Sequence, residues 1–262
     1  MESLMIKPNN LKSTLMDILA MAKRNILKVK HSPDKLIDVT VIPVFFMIVF
    51  SYLFGGAIAG GIQEYLPIIV PGILIQTLIM SSAATGTQLR EDFDTGVFDR
   101  FKSLPIVRIA PLAGLVVSDI LRYLVAAVFS IGTGYLLGWR PEAGVGWLAV
   151  GLLLAIFGAC AISWLFALIG LISKSAATIS SVSTMVTMMM SFLSNAFVPT
   201  NTLPTFLQKV AEYNPVTYLV TAFKDLANQG QFTSNAYMTL VMGILLVLII
   251  APITVKVYNK KI

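Results

Sequence analysis

Cysteine and histidine are almost missing from this chain of 262 residues, which contains one of each, Cys160 and His31. A single cysteine cannot form a disulfide bond within the chain, and no histidine–cysteine cluster can supply the usual ligands of a zinc ion. A lone histidine in a basic segment is more often a surface residue than a catalytic base. We therefore expect no metal site, no cofactor bound to this chain and no catalytic residue.

Charged residues are scarce as well. They make up 12% of the chain, whereas soluble domains contain about 25%, and hydrophobic residues make up 56%. Long apolar runs predict an all-α polytopic membrane protein that forms one domain over residues 1–262. The net charge of +6 does not indicate nucleic-acid binding, because the basic residues gather beside apolar runs, as in cytoplasmic loops.

The dipeptide Gly-Lys occurs nowhere in the chain, so no phosphate-binding P-loop is present. If ATP drives transport by this protein, the nucleotide must bind to another chain. The apolar runs also lack the series of acidic residues that is typical of a proton relay.

Residues 1–36 are polar and basic and lack the apolar core of a cleavable signal peptide, so we expect none. An apolar stripe at helical spacing within them predicts an amphipathic helix. Its members are Leu11, Leu15, Ile18, Leu19, Ala22, Ile26 and Val29. Because basic residues flank the stripe and an apolar span follows, we expect this helix in the inner membrane interface. A soluble helix packed on a partner is the alternative.

Six apolar runs predict six transmembrane helices within residues 37–256, followed by a short tail at residues 257–262. The runs cover residues 37–54, 67–87, 106–137, 147–172, 176–197 and 237–255. Of the 19 lysines and arginines, Arg140, Lys209 and Lys224 fall in segments opposite the termini. Because basic residues gather on the inside, both termini are predicted to be cytoplasmic, in a multi-pass plasma-membrane protein.

The third run contains two charged residues, Asp119 and Arg122, at the spacing i, i+3 that allows pairing on one helix face. Its uninterrupted apolar part, residues 123–137, gives about 22 Å of helix, short of a bilayer core. We therefore expect the pair near the inner leaflet, with Arg122 snorkelling toward water. It is either a polar site on a transport path or a structural ion pair that anchors the inner end of the span.

The fifth run carries hydroxyl residues followed by methionines. Hydroxyl residues suit close helix packing in a bilayer, and methionine adapts to ligands of varied shape. A substrate-contacting wall and plain helix packing explain this pattern equally well. The candidate path residues are Met185, Met188, Met189, Phe192 and Asn195.

Residues 198–234 are too long for a plain connection. Two short apolar faces, separated by a break at Asn214 and Pro215, predict two short helices that dip back toward the bilayer. The side chains assigned to this outer re-entrant hairpin are Phe206, Asn214, Pro215 and Tyr218.

Residues 90–108 form a charged segment between two spans. From Val97 onward, the apolar positions Val97, Phe101 and Leu104 fall at i, i+4 and i+7. This spacing predicts a short amphipathic helix between Gly96 and Pro105. Such a helix is able to dock on a soluble partner and pass movement to the membrane. A solvated loop with one helical turn is the alternative.

Several blocks resemble the permease subunits of type-2 ABC exporters, above all the branch named for daunorubicin resistance. They are residues 99–105 (DRFKSLP), Asp119 with Arg122, residues 138–140 (GWR), residues 194–200 (SNAFVPT) and residues 214–217 (NPVT). The run EDFD at residues 91–94 fits this branch better than the polysaccharide branch.

This resemblance implies a coupling helix that sits in a groove of an ATPase subunit, and an outer hairpin that closes the exit. The coupling residues are then Val97, Phe98, Asp99, Arg100, Phe101, Lys102 and Leu104. It also implies two permeases, either two copies of this chain or this chain with a homologous one, and two ATPase subunits that bind ATP and Mg²⁺. The expected function is export of amphipathic drugs or lipids by alternating access across a bacterial or archaeal plasma membrane.

Three other functions compete with drug export. An exporter permease for a lipid-linked glycan or another cell-envelope substrate belongs to the same class. A membrane-embedded lipid-modifying enzyme needs a nucleophile–base pair, and the sequence offers no convincing one. A secondary transporter usually shows internal repeats or midplane charges, and neither is clear here.

Overall fold

The computed structural model describes residues 11–30, 33–102, 106–107 and 109–261. These described residues form ten α-helices and one short 3-10 helix and contain no β-strand, so the prediction of an all-helical protein is confirmed. The helices are α1 (Leu11–Lys30), α2 (Pro33–Ala59), α3 (Ile62–Asp94), α4 (Val97–Lys102), α5 (Ala110–Leu137), α6 (Gly144–Ile172), α7 (Ala176–Phe192), the 3-10 helix (Thr200–Thr202), α8 (Thr205–Glu212), α9 (Pro215–Gln229) and α10 (Ser234–Lys261).

Within the described residues, five helices are long and apolar enough to cross a membrane: α2, α3, α5, α6 and α10. The protein is therefore a polytopic membrane protein. The fifth predicted span, α7, is apolar but has only 17 residues, about 26 Å of helix. It ends at Phe192 and not at residue 197, because the Asn214 side chain occupies the carbonyls of Met190 and Leu193 and the chain then bends.

Helix α3 is the central helix of the bundle and packs against α2, α5, α6, α7 and α9. Its 33 residues span about 50 Å, which exceeds a hydrocarbon core of about 30 Å. It extends past the predicted span in both directions, since the charged residues at its end do not break a helix outside the bilayer. Gly86 and Gly170 bring α3 and α6 together, because a Cβ atom on Gly170 would collide with the Gly86 carbonyl oxygen.

Helix α1 buries part of the apolar stripe expected from the sequence and exposes the rest. Met21 and Ala22 pack on α5 at Gly114, where a Cβ atom would overlap the Met21 side chain. Leu15 and Leu19, which belong to the same predicted stripe as Ala22, are exposed. Helix α1 therefore packs on the bundle through part of its stripe and leaves leucines exposed at the edge of that contact.

The predicted break at Asn214 and Pro215 separates α8 from α9. Helix α8 lies on the surface and exposes Phe206. Helix α9 is packed against α6, α10 and α3 and buries Phe223. The re-entrant path of this helix pair stays a prediction.

Candidate coupling surface and intramembrane polar site

A tight turn places α4 directly at the end of α3. The backbone N–H groups of Thr95 and Gly96 donate to the backbone carbonyls of Glu91 and Phe93, with N···O distances of 3.0 and 3.2 Å. Gly96 has a φ of +67°, in the left-handed region that favours glycine. Helix α4 then runs from Val97 to Lys102. Leu104 and the side chains of Asp99 and Lys102 lie outside the described residues.

Phe98 anchors α4 in the bundle. Its ring stacks on Phe93 with the centroids 4.0 Å apart and meets Tyr258 of α10 edge-on at 5.5 Å. Phe101 meets the other edge of Phe98 at 5.6 Å. We call these four residues the inner aromatic cluster. Only 3% of Phe98 is exposed, so this predicted coupling residue faces its own chain, whereas Val97, Arg100 and Phe101 keep accessible surface.

Helix α1 is bonded to the ends of both α3 and α4. The Arg24 guanidinium lies over the Phe101 ring, 5.0 Å from its centroid, and its Nη1 donates to Asp92 Oδ2 at 3.3 Å. Lys28 Nζ donates to Asp92 Oδ1 at 2.9 Å. Asp92 is buried between them, and charge-assisted hydrogen bonds of this kind are among the stronger ones.

A further contact of α1 reaches the charged segment on the other side of α4, at Val107. The buried carboxylate of Asp17 accepts a hydrogen bond from the backbone N–H of Val107 at 3.2 Å. Arg24, Lys28 and Asp17 thus hold the chain before and after α4. The sequence pattern did not reveal these contacts, since they join residues that are far apart in the chain.

Asp119 and Arg122 contact each other inside the bundle. Arg122 Nη2 donates to Asp119 Oδ1 and to the backbone carbonyl of Ser81, the latter at 2.7 Å. Thr85 of α3 donates to the other carboxylate oxygen. The expected snorkelling of Arg122 is wrong: the side chain is buried because the carboxylate and the Ser81 carbonyl supply its partners between α3 and α5.

A second polar network lies one residue further along α5. The Tyr123 hydroxyl is 2.8 Å from Ser82 Oγ and 2.6 Å from Ser163 Oγ, and Ser82 donates to the Ala159 carbonyl at 3.0 Å. The network joins α3, α5 and α6. The hydroxyl residues Ser81, Ser82 and Thr85 are its only sign in the sequence, and they lie within the second predicted span, where hydroxyl residues are compatible with a membrane helix.

A cleft of about 330 Å³ opens beside the ion pair. It lies between α2, α3, α5 and α7, and its polar lining consists of Asp38, Ser81, Thr87, Glu91, Arg122, Ser180, Ser183 and Thr184. Among the residues that the structure describes, none hydrogen-bonds the buried atoms Arg122 Nε, Ser81 Oγ or Ser183 Oγ. The cleft therefore has polar groups available to a ligand or to water.

The predicted path residues lie elsewhere on α7. Met185, Met189 and Phe192 are exposed, and Met188 is half-buried. Asn195 donates to Thr221 Oγ1 at 2.8 Å. None of these five residues lines the cleft beside Arg122. Met189 instead borders an open groove of about 610 Å³ that also contains the predicted hairpin residues Phe206, Asn214 and Pro215.

Asn214 joins the end of α7 to the start of α9. Its Nδ2 donates to the carbonyls of Met190 and Leu193 at 2.7 and 2.8 Å, and its Oδ1 accepts from the backbone N–H of Val216 at 2.9 Å. This last bond is an N-cap, with Pro215 as the first helical residue. Tyr218 is half-buried on α9.

The fold and these sites define a polytopic helical membrane protein with a polar cleft inside the bundle and a short, firmly held helix at one end. Residues 16–228 match the family model described as ABC-2 type transporter. The chain belongs to this family and is a membrane component of an ABC transporter, as the resemblance of the short blocks predicted.

Named relatives agree with this family. The chain is 36% identical to the daunorubicin resistance ABC transporter permease protein DrrB1 of Streptomyces coeruleorubidus, over 91% of this chain and 84% of the relative. It is 27% identical to the probable doxorubicin resistance ABC transporter permease protein DrrC of Mycobacterium tuberculosis, over 76% and 72%. Identity to the inner membrane transport permease YadH of Escherichia coli is 26%, over 72% and 75%.

Proposed function

We propose that this chain forms the translocation path of an ATP-driven exporter and that separate ATPase subunits dock on the surface formed by Val97, Arg100 and Phe101. The observation that carries this proposal is the inner aromatic cluster. It fixes α4 to α3 and α10 through the buried Phe98 while Phe101 stays partly accessible. A helix held in this way can receive force from a partner and transmit it without slipping.

The route of this force follows α3. The helix carries α4 at its end and places Ser81 and Thr85 against the ion pair on α5. Glu91, near the same end, lines the cleft together with Ser81. A displacement of α4 on ATP binding therefore moves one wall of the cleft against α2, α5 and α7. Alternating access of the cleft to the two sides of the membrane is the expected result.

The proposed complex contains two permeases, and α7 supports this arrangement. Ser180, Ser181 and Thr184 are exposed on this helix, and small hydroxyl residues suit close packing between membrane helices. A second copy of this chain or a homologous permease would cover them or enclose a wet path with them.

In the proposed topology α7 is a short fifth span, which gives six spans with α4 and both termini in the cytoplasm and with α8 and α9 as an outer re-entrant hairpin. Single cysteines at Lys102 and Lys209 test it in a Cys160→Ser background. An impermeant thiol reagent added to intact cells should label the cysteine at position 209 and spare the one at position 102. The reverse labelling would overturn the orientation.

The proposed substrates are amphipathic drugs, because two of the relatives are named for resistance to daunorubicin and doxorubicin. Proteoliposomes that contain this permease with its ATPase should accumulate daunorubicin when ATP is added, and daunorubicin should stimulate ATP hydrolysis. The permease alone, and a complex with a catalytically inactive ATPase, should do neither. Stimulation by a lipid-linked glycan without any daunorubicin uptake would reassign the substrate, and hydrolysis by the permease alone would refute the division of roles.

A further inference from the structure

An open groove of about 740 Å³ runs along α10 beside α6, away from the cleft and from α7. Its apolar part is formed by Trp164, Leu248 and Pro252, and its polar end is formed by Lys256, Asn259 and Lys260. This polar end lies at the same end of the bundle as α4, because Tyr258 of α10 contacts Phe98.

The dimensions of the groove match one leaflet of a bilayer with its headgroup. Its residues on α10 run from Val247 to Lys260, which spans about 20 Å of helix. Half of a hydrocarbon core of about 30 Å is about 15 Å. Trp164 lines the wall, and tryptophan is the residue most typical of the membrane interface.

The polar end carries positive charge that no acidic residue in the described part of the chain balances. Lys256 and Lys260 are exposed and stand at i, i+4 on one helix face, where like charges repel. Neither forms an ion pair or a hydrogen bond with any residue that the structure describes. The neighbouring Lys261 differs, since it donates to the Leu171 carbonyl at the end of α6.

We propose that this groove binds one anionic phospholipid of the inner leaflet. The phosphate lies between the Lys256 and Lys260 ammonium groups with Asn259 as a neutral hydrogen-bond donor, and an acyl chain lies along Trp164, Leu248 and Pro252. Basic pockets between transmembrane helices bind anionic lipid headgroups in other membrane proteins. A zwitterionic lipid of the same chain length offers the same apolar contact without the net charge.

The position of the groove gives the lipid a role in coupling. Tyr258 lies between Lys256 and Lys260 in sequence and is fully buried on the opposite face of α10, against Phe98. A lipid bound on the groove side of α10 therefore favours the position of α10 in which Tyr258 packs against Phe98. This role, and the assignment to the inner leaflet, rest on the proposed function, whereas binding of the lipid does not.

Native mass spectrometry of the purified full-length permease tests the binding. Phosphatidylglycerol should be retained in preference to phosphatidylcholine with the same acyl chains. The Lys256→Gln/Lys260→Gln variant should bind it about thirtyfold more weakly. Ala251→Trp fills the apolar part without changing the charge and should also displace the lipid. The matched control, Lys12→Gln/Lys23→Gln, removes two exposed lysines from α1 and should bind as wild type.

Equal retention of phosphatidylglycerol in all four proteins would overturn the proposal, and so would an equal loss in the α1 control, which would indicate attraction by surface charge alone. Displacement of the lipid by millimolar inorganic phosphate would assign the lysines to a free anion and would overturn the lipid site as well. Because the permease is tested without an ATPase, lipid retention is measured independently of transport. A failure of the proposed export function would therefore leave this binding result unaffected.

Discussion

The Arg24 guanidinium lies over the ring of Phe101, 5.0 Å from its centroid, and also donates to Asp92. Arg24 of α1 therefore contacts both α4 and the end of the central helix α3. Cation–π contacts at partly exposed sites contribute about 0.5–1 kcal/mol, and the hydrogen bond to Asp92 adds to this. Helix α1 therefore holds α4 in one position relative to α3.

Phe98→Ala should destabilise the permease itself. Phe98 is 3% exposed and packs against Phe93 and Tyr258, and removal of a buried phenylalanine costs about 3–5 kcal/mol. The thermal unfolding midpoint in detergent should fall clearly. Size-exclusion chromatography of heated samples measures it. Phe206→Ala is the matched control, because this phenylalanine is 75% exposed. An unchanged midpoint for Phe98→Ala would refute the anchoring role of the inner aromatic cluster.

Phe101→Ala should spare the fold and weaken docking of the ATPase. Its ring is only half-buried, and aromatic side chains at the centre of an interface often contribute about 2 kcal/mol, or roughly thirtyfold in affinity. Pull-down of the ATPase with the solubilised variant, together with a monodispersity check, measures this. Phe206→Ala again serves as the control. Normal assembly and normal transport by Phe101→Ala would show that α4 does not anchor the ATPase through Phe101.

Local patterns in the sequence predicted the features that depend on neighbouring residues. The i, i+3 spacing brought Asp119 and Arg122 together on α5, and the Asn-Pro pair marked the start of α9 because proline suits the first helical position. The resemblance of short blocks gave the family. These features need no knowledge of what packs against them.

Contacts between distant segments could not be predicted in this way. Helical spacing put Phe101 on the apolar face of α4 but gave no sign that Phe98 is buried, because its partner Tyr258 lies near the other end of the chain. The end of α7 depends on Asn214, which occupies the Met190 and Leu193 carbonyls from the start of α9. The burial of Arg122 likewise depends on Ser81 of another helix.

Asp92→Asn should loosen α1, because the substitution removes the charge that holds both Arg24 and Lys28. Hydrogen bonds to charged groups contribute about 1.5–3 kcal/mol, and the partial exposure of the two cations lowers this figure. Hydrogen exchange of the α1 amides should become faster. Asp94→Asn is the control, since its pair with Arg90 is more exposed and within one helix and is worth about 0.5 kcal/mol. Equal exchange rates of the α1 amides in the two variants would show that Asp92 does not hold α1 in place.

The buried pair in α5 should show strong non-additivity. Arg122→Gln alone leaves the Asp119 carboxylate buried without its counter-charge, which costs about 3–5 kcal/mol. Adding Asp119→Asn removes that charge and keeps an acceptor for Thr85, so the double variant should be more stable than Arg122→Gln. Thermal unfolding in detergent measures this, with Arg140→Gln, an exposed arginine, as the control. A double variant that is less stable than both single variants would contradict a direct ion pair.

Export by the same double variant separates the two roles left open for this pair. Arg122 lines the cleft, and within the described part of the chain its Nε has no hydrogen-bond partner. The Arg122 guanidinium is held in place by Asp119 and still has an N–H group to donate, so it is suited to contact a substrate. Glutamine at this position carries no positive charge. We therefore expect the double variant to regain stability without regaining daunorubicin uptake in proteoliposomes with its ATPase. Recovery of both properties would assign the pair a structural role alone, because the neutral pair would then suffice for transport.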